Sequence, residues 1–131
     1  MINTKTLVLG ASLKPNRYSY ITIKRLIEKN YEVEAIGLKR GTVNGVLIAT
    51  EKIDFKGIDT VTLYLNPKNQ LEYYNYIIAL QPRRVIFNPG AENDEFVNLL
   101  EENNINAEIA CTLVLLSTNQ YLKNTINFDE Q

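Results

Sequence analysis

Residues 6–20 read TLVLGASLKPNRYSY, and this stretch decides the fold. It opens with a short apolar run from Thr6 to Gly10, which is typical of a buried parallel strand. A polar loop follows, and then apolar residues recur at helical spacing, with Ser19 as the expected N-cap and Asn30 as the expected end of the helix. A strand, a glycine turn and a helix in this order predict the first part of a βαβ unit.

The same alternation continues along the chain. Further strands are predicted at Tyr31–Ile36, Thr60–Leu65, Arg84–Phe87 and Ala107–Ala110, with Val46–Ile48 as a candidate short extra strand. Further helices are predicted to begin at Asn66-Pro67, at Asn93 and at Thr112, and the last of them is predicted to end at Leu122. This pattern predicts an α/β fold: a Rossmann-like doubly wound sheet of about five parallel strands in the order 3-2-1-4-5, within a three-layer α/β/α architecture. Residues 1–131 are expected to form a single domain, with its core at about 5–122 and a frayed polar C-terminal tail.

Composition narrows the function classes. The net charge is −1, from 14 basic and 15 acidic residues, so no global field favours nucleic acid or an anionic membrane. No apolar run approaches the ~20 residues of a membrane-spanning helix, and no signal peptide is apparent. The single cysteine, Cys111, excludes an internal disulfide and suits a reducing compartment. We therefore expect a cytoplasmic protein.

Histidine is absent from the sequence. Its absence excludes Ser-His-Asp and Cys-His mechanisms and any histidine-based zinc site. With one cysteine, a multi-cysteine metal site within one chain is excluded as well. Cys111 can be a small buried apolar residue, a reactive thiol near the ligand, or a nucleophile that lacks a histidine base. No catalytic residue is assigned, so binding is favoured over catalysis.

The loop after the first strand suits anion binding. Gly10 lets backbone approach a ligand, the Ser12 and Ser19 hydroxyls are potential donors, and Lys14 and Arg17 add positive charge. The following helix adds free N–H groups and the positive end of its dipole. The candidate residues of this loop are Gly10, Ala11, Ser12, Lys14, Arg17 and Ser19. A tight β–α turn with solvated Lys and Arg side chains is the alternative interpretation.

The second predicted strand is followed by Lys39 and Arg40. An NAD-binding domain places Asp or Glu there to hold the ribose hydroxyls. Basic residues suit a ribose that carries an extra phosphate, as in coenzyme A or NADP. The alternative interpretation is that Lys39 and Arg40 are an exposed pair in a turn without a ligand.

The first loop resembles that of the small stand-alone CoA-binding proteins, which are similar to the CoA-binding domain of the succinyl-CoA synthetase α subunit. That family has a G-x-S loop followed by a P-x-R-x-S segment, and the matching residues here are Gly10, Ser12, Pro15, Arg17 and Ser19. Lys39 stands where the family has a basic residue, although Gly37-Leu38 replaces its usual Asn-Pro. Asn66 replaces an arginine after the third strand, while Gly90 and Asn93-Asp94-Glu95 resemble the glycine turn and capped helix after the fourth.

The resemblance spans roughly residues 5–122 and implies coenzyme A as the ligand, with Lys39, Arg40, Asn66 and Gly90 joining the first loop as site residues. The leading hypothesis is a protein that binds CoA or acyl-CoA without catalysis and holds the diphosphate at the loop after strand one. One alternative is a small NADP-dependent reductase or epimerase. Another is a ligand-free protein of the same fold that acts through protein contacts.

Overall fold

The computed structural model describes residues 2–122, which form one seven-stranded sheet covered by helices on both faces. Its elements are β1 (Thr6–Ala11), α1 (Tyr18–Glu28), β2 (Val33–Gly37), β3 (Gly41–Val43), β4 (Val46–Ala49), β5 (Thr60–Leu63), α2 (Pro67–Gln70), α3 (Tyr74–Leu80), β6 (Arg84–Phe87), α4 (Asp94–Glu102), β7 (Asn106–Ile109) and α5 (Thr112–Ser117). A turn of 3₁₀-helix at Leu71–Tyr73 joins α2 to α3.

The strand order is β3-β4-β2-β1-β5-β6-β7, and all neighbours are parallel except β3 and β4. The predicted Rossmann-like α/β class is confirmed, but the sheet has seven strands rather than about five. Strand 60–63 pairs with β1, whereas the predicted order placed it outside β2. That outer place is taken by β4, the segment predicted as a short extra strand.

The β3–β4 hairpin explains the difference. Asn44 and Gly45 both have positive φ, 49° and 82°, as a two-residue hairpin turn requires. The turn folds β4 back against β3, so that Ile48 pairs with Ala35 of β2. With β4 beside β2, the chain returns to the other side of β1 to form β5.

Alternating side chains of the central strands serve two hydrophobic layers. Leu7 and Leu9 point into the layer that contains Phe96 of α4, together with α3. Val8 points into the opposite layer, where α1 packs through Leu26 and α5 through Leu116. This alternation is the period-two pattern of a strand covered on both faces, and it gives the predicted three layers.

Two predicted helix boundaries were wrong. Helix α1 begins at Tyr18 with Arg17 as its N-cap residue, so Ser19 is a buried first-turn residue instead of the cap. Helix α5 ends at Ser117, because the chain turns at Asn119, which has a φ of 59°. Beyond the turn, Tyr121 is buried and stacks on a second tyrosine ring.

The predicted end of α1 agrees with the structure, since Asn30 follows the helix with a φ of 63°. The predicted C-terminal tail, residues 123–131, lies outside the described residues. Within the part of the chain that is described, no helix has the length and apolar character needed to cross a membrane.

Candidate functional site

The carboxyl ends of the parallel strands meet at one edge of the sheet, where ligands bind in folds of this class. Leu9, Leu63 and Phe87 are in register across β1, β5 and β6, and Ala11 pairs with Gly37 at the end of β2. The loops after these four strands therefore leave the sheet at the same edge. Gly10, Lys39 and Gly90 share that edge, as the sequence predicted, and the loop after β5 lies between those after β1 and β6.

Gly10 has a packing role. Its φ is +93°, and a Cβ there would lie 2.5 Å from the backbone oxygen of Tyr64. The β1 register with β2 also shifts between Leu9 and Ala11. Glycine is therefore needed at position 10 because the backbone at Tyr64 lies so close to it. That Gly10 also lets a ligand approach the backbone stays a prediction. Gly37 is required in the same way, because its Cβ would lie 2.1 Å from the Ala11 oxygen.

The loop between β1 and α1 is held by its own hydrogen bonds. The Ser12 N–H donates to Ser19 Oγ over 3.1 Å, and the Lys14 N–H donates to Ser12 Oγ over 3.1 Å. The Arg17 N–H donates to the Lys14 oxygen over 3.0 Å. Both serine hydroxyls accept in these bonds, so each keeps its own O–H hydrogen for a further acceptor. Ser19 is buried, so the Ser12 hydroxyl is the one of the two that can donate to a ligand.

The start of α1 differs from the starts of α2 and α4. In those helices an asparagine accepts a backbone N–H: Asn66 from Asn69 over 3.0 Å, and Asn93 from Phe96 over 3.3 Å. Helix α1 has no side-chain cap at Arg17 and no acidic residue in its first turn. Its first N–H groups have no partner within the helix, and its dipole places positive charge there. This end of α1 is therefore equipped to receive an anion.

The two segments beside that end carry four cationic side chains. Lys14, Arg17, Lys39 and Arg40 are exposed, and within residues 2–122 none of them forms an ion pair. The segments that carry them, residues 10–19 and 37–45, contain no Asp or Glu. Because Ala11 pairs with Gly37, the two segments leave the sheet from adjacent positions. Positive charge is therefore concentrated here on a chain whose net charge is −1.

The other two predicted site residues lie further along the same edge. Asn66 is exposed and uses its Oδ1 to cap α2. Gly90 has a φ of +94°, a Cβ there would meet nothing within 4 Å, and its N–H donates to Glu92 Oε1 over 2.8 Å. An acidic side chain thus stands beside the β6 loop, whereas the segments after β1 and β2 contain no Asp or Glu.

Buried amides tie these loops together, and the sequence analysis missed them. Asn88 Nδ2 donates to Thr62 Oγ1 over 2.7 Å and to the Leu63 oxygen over 2.8 Å, and its Oδ1 accepts the Thr112 N–H over 2.8 Å. Asn88 thus joins β5, the β6 loop and the start of α5. An asparagine directly after an apolar strand was the available signal, but its partners come from distant segments.

Gln70 links the next two loops. Its side chain is fully buried, and Nε2 donates to the Leu65 oxygen over 2.8 Å and to the Ala91 oxygen over 2.7 Å. Its Oε1 accepts from Asn93 Nδ2 over 2.9 Å. Within residues 2–122, every buried side-chain nitrogen and oxygen has a hydrogen-bond partner, and these amide bonds hold the loops of this edge together.

Tyr64 connects the end of β5 to α1. Its hydroxyl is hydrogen bonded to Thr22 Oγ1, one turn into the helix whose start carries the open N–H groups. Burial raises the pKa of Tyr64 to about 12, so the hydroxyl is neutral at physiological pH. The tyrosine therefore helps to fix α1 against the sheet.

Cys111 is the N-cap residue of α5, at the same edge of the sheet. Its side chain is partly exposed. The N–H of the next residue is already bonded to Asn88. A role for this thiol stays a hypothesis.

A protein-family model described as a CoA binding domain matches residues 4–117. A comparison with curated proteins finds no significant relative. Among solved structures, a crystal structure of an uncharacterized protein is 50% identical, with a TM-score of 0.87 over 89% of this chain and 97% of the other.

More distant structures share the fold. Cell-free ID.343 from Thermus thermophilus has a TM-score of 0.79 at 21% identity, with 90% of each chain covered. A dinucleotide-forming acetyl-coenzyme A synthetase from Ca. Korarchaeum cryptofilum has a TM-score of 0.67 at 13% identity. The match covers 79% of this chain and 25% of the synthetase. At these identities the likeness concerns the fold alone.

Proposed function

The chain belongs to the CoA-binding domain family, and from this premise we propose that it binds coenzyme A or an acyl-CoA without performing chemistry on it. The resemblance noted in the first loop is thereby confirmed at the level of the family. The identity of the ligand and the residues that hold it are the proposal.

One observation carries the proposal: the uncapped start of α1 lies at the edge of the sheet where two adjacent segments carry four exposed cations, none of which forms an ion pair within residues 2–122. Coenzyme A carries a diphosphate and a 3′-phosphate, so its nucleotide end needs several cationic or N–H donors. A helix N-terminus beside Arg and Lys supplies both kinds.

We assign the diphosphate to the loop between β1 and α1. The N–H groups of the first turn of α1 would face it, with Arg17 and Lys14 adding charge-assisted bonds and Ser12 adding a hydroxyl donor. Ser19, which is buried, acts through the Ser12 backbone, whose N–H it accepts. Gly10 and Ala11 supply the tight turn that brings this loop to the edge of the sheet.

We assign the 3′-phosphate to Lys39 and Arg40, because their segment leaves the sheet beside the first loop. The remainder of the ligand would then run along the loops after β5 and β6, where the Asn66 Nδ2 makes no hydrogen bond within residues 2–122 and Gly90 leaves open space. The sequence contains no histidine to serve as a general base, which favours binding over catalysis.

The test begins with native mass spectrometry of the purified protein, followed by calorimetric titration with CoA, dephospho-CoA and NADPH. We expect CoA to bind, dephospho-CoA to bind more weakly, and NADPH not to compete. Preferential NADPH binding would support the reductase alternative. Absence of binding to all three would support the ligand-free alternative.

Arg17→Ala identifies the site. We expect at least a ten-fold loss of CoA affinity, since removing a charged donor costs roughly 1.5–3 kcal/mol. The matched control is Lys24→Ala: Lys24 is exposed on the same helix but lies about 10 Å further along its axis. Lys56→Ala is a second control, because Lys56 pairs with Asp54 in the loop that precedes β5. Equal losses in Arg17→Ala and Lys24→Ala would contradict the assignment.

A further inference from the structure

Leu38 is an apolar side chain that lies almost wholly in solvent at the candidate site. It is 96% exposed, and no other large hydrophobic side chain within residues 2–122 is more than 70% exposed. It directly follows β2 and precedes Lys39 and Arg40. A single exposed leucine needs no explanation. Leu38 is distinguished by its surroundings, because the backbone that carries it is fixed on both sides.

Residues 38–40 form a short segment, here called the basic arch, between two contacts with the β1–α1 loop. At one end, a Cβ on Gly37 would lie 2.1 Å from the Ala11 oxygen. At the other end, a Cβ on Gly41 would lie 2.7 Å from Leu13 Cδ2. Neither glycine has a positive φ, so what glycine provides at both positions is room for the neighbouring loop. The basic arch is therefore packed against that loop at both of its ends.

Both ends of the basic arch also belong to the sheet. Gly37 pairs with Ala11 of β1, and Gly41 pairs with Ile48 of β4. Leu38 belongs to neither of the two hydrophobic layers that cover the sheet. Because the backbone on each side of it is fixed, Leu38 is held toward solvent before any ligand binds. A ligand that covers it has little backbone to order, which lowers the entropic cost of binding.

The chemistry of coenzyme A indicates which part of it would cover Leu38. The ribose that carries the 3′-phosphate also carries the adenine base, whereas the pantetheine arm is attached at the far end of the diphosphate. A 3′-phosphate at Lys39 and Arg40 therefore brings the base to the basic arch. A diphosphate at the first loop directs the pantetheine arm away from it, toward the loops after β5 and β6. The base is then the apolar part of the ligand nearest to Leu38.

We propose that Leu38 contacts the face of the adenine base and is a specificity-determining residue for the nucleotide end of the ligand. This inference rests on the proposed function, because it requires the 3′-phosphate at the same basic arch. The arch would then recognise two features of one nucleotide: its cations bind the phosphate, and Leu38 packs on the base. Leu38 thus favours ligands that carry a base over those that end at the pantetheine phosphate.

The first test is calorimetric titration of Leu38→Ala with CoA and with dephospho-CoA. The side chain is exposed, so the variant should remain folded. We expect both affinities to fall about ten-fold, because both ligands carry adenine and alanine lacks the carbons that cover it. The preference for CoA over dephospho-CoA should stay unchanged, since Lys39 and Arg40 remain in place. A reduced preference would show that Leu38 shapes the basic arch instead, and would contradict the proposal.

Ile109→Ala is the matched control. Ile109 is an aliphatic side chain of the same size, 59% exposed on β7, and β7 lies four strand spacings from β2, or about 19 Å. This variant should bind both ligands like the wild type. If Leu38→Ala also binds like a wild type that prefers CoA, the inference about Leu38 is wrong and the proposed function stands. If the wild type binds neither ligand, the proposed function itself is wrong.

Methyl NMR provides a readout that does not depend on affinity. In leucine-methyl-labelled protein, the peaks that disappear in Leu38→Ala assign the Leu38 methyl groups. On saturation with CoA we expect these peaks to move upfield, because protons over the face of an aromatic ring are shielded. Saturation with 4′-phosphopantetheine, which lacks the adenosine, should leave them in place. Leu38 methyl peaks that do not move on saturation with CoA would overturn the proposal.

Discussion

Arg17→Asp should make the protein more stable and weaken CoA binding by two decades or more. Arg17 already has N-cap geometry, with a φ of −85° and a ψ of 143°, and its side chain makes no capping bond. A carboxylate at this position can accept a first-turn N–H, which contributes about 1 kcal/mol. Replacing a cation by an anion at the positive end of the dipole adds about 0.3–1 kcal/mol. The free energy of unfolding should therefore rise by about 1–2 kcal/mol.

Binding should change in the opposite direction. Arg17→Ala only removes a donor, whereas Arg17→Asp also sets a negative charge against the diphosphate and occupies N–H groups that the ligand would use. We expect the alanine variant to lose about one decade of affinity and the aspartate variant two or more. Salt should weaken wild-type binding more steeply than that of Arg17→Ala, because screening acts on the charge that the variant lacks.

Thermal and urea unfolding measure the first effect, and calorimetric titration with CoA measures the second. For a chain of this size, 1 kcal/mol corresponds to roughly 3–6 °C in Tm. Lys24→Asp is the control: it introduces the same residue within α1, where no cap can form, and should lower stability slightly while binding is retained. A destabilised Arg17→Asp variant, or one that binds CoA like the wild type, would refute the interpretation of this helix start.

Three further predictions concern residues at the edge of the sheet. Gly10→Ala should lower the free energy of unfolding by urea by about 3 kcal/mol or more, because its Cβ would lie 2.5 Å from a backbone oxygen. Gly45→Ala, at a φ of +82° where a Cβ would have no neighbour within 4 Å among the described residues, should lower it by only about 1 kcal/mol. Burial raises the pKa of Tyr64 from 10.0 to about 12. The folded state thus holds that proton more tightly, and its contribution to stability is full below pH 10 and falls as the pH rises toward 12. Urea unfolding at a series of pH values gives the decrease of the free energy of unfolding between pH 10 and 12. Tyr64→Phe should make this decrease smaller, and an unchanged decrease would contradict the assignment. Replacing Lys39 and Arg40 together by Ala should abolish the preference for CoA over dephospho-CoA in titration, while a persisting preference would place the 3′-phosphate elsewhere.

The local elements of the fold were predictable from the sequence. The strand, loop and helix of residues 6–28 follow from a short apolar run, a glycine and helical spacing, all of which act between near neighbours. The caps at Asn66 and Asn93 were predictable for the same reason. The place of strand 60–63 was not, because it depends on β4 filling the position outside β2. The periodicity of residues 37–59 is too weak to predict whether β4 or strand 60–63 pairs with β2.

The candidate site divides in the same way. That Lys14, Arg17, Lys39 and Arg40 share one edge follows from parallel strands alone, because their carboxyl ends meet there. The hydrogen bonds of the buried amide Asn88 could not be predicted, since its partners lie 24 to 26 residues away along the chain. The local sequence pattern thus predicts which side chains lie at the ligand-binding edge of the sheet. Which side chains hold the loops together depends on tertiary contacts that the local pattern does not contain.

The residues at the start of α1 stabilise the helix less than those at the starts of α2 and α4. At α2 and α4 an asparagine accepts a first-turn N–H, and α4 adds two acidic residues that suit the dipole. Helix α1 has an arginine at the equivalent position, and further positive charge surrounds it. Folding alone favours an acid or an asparagine there by about 1 kcal/mol. A bound anion would satisfy both the N–H groups and the cations, so the features that cost stability in the free protein are the ones that a phosphate ligand would use.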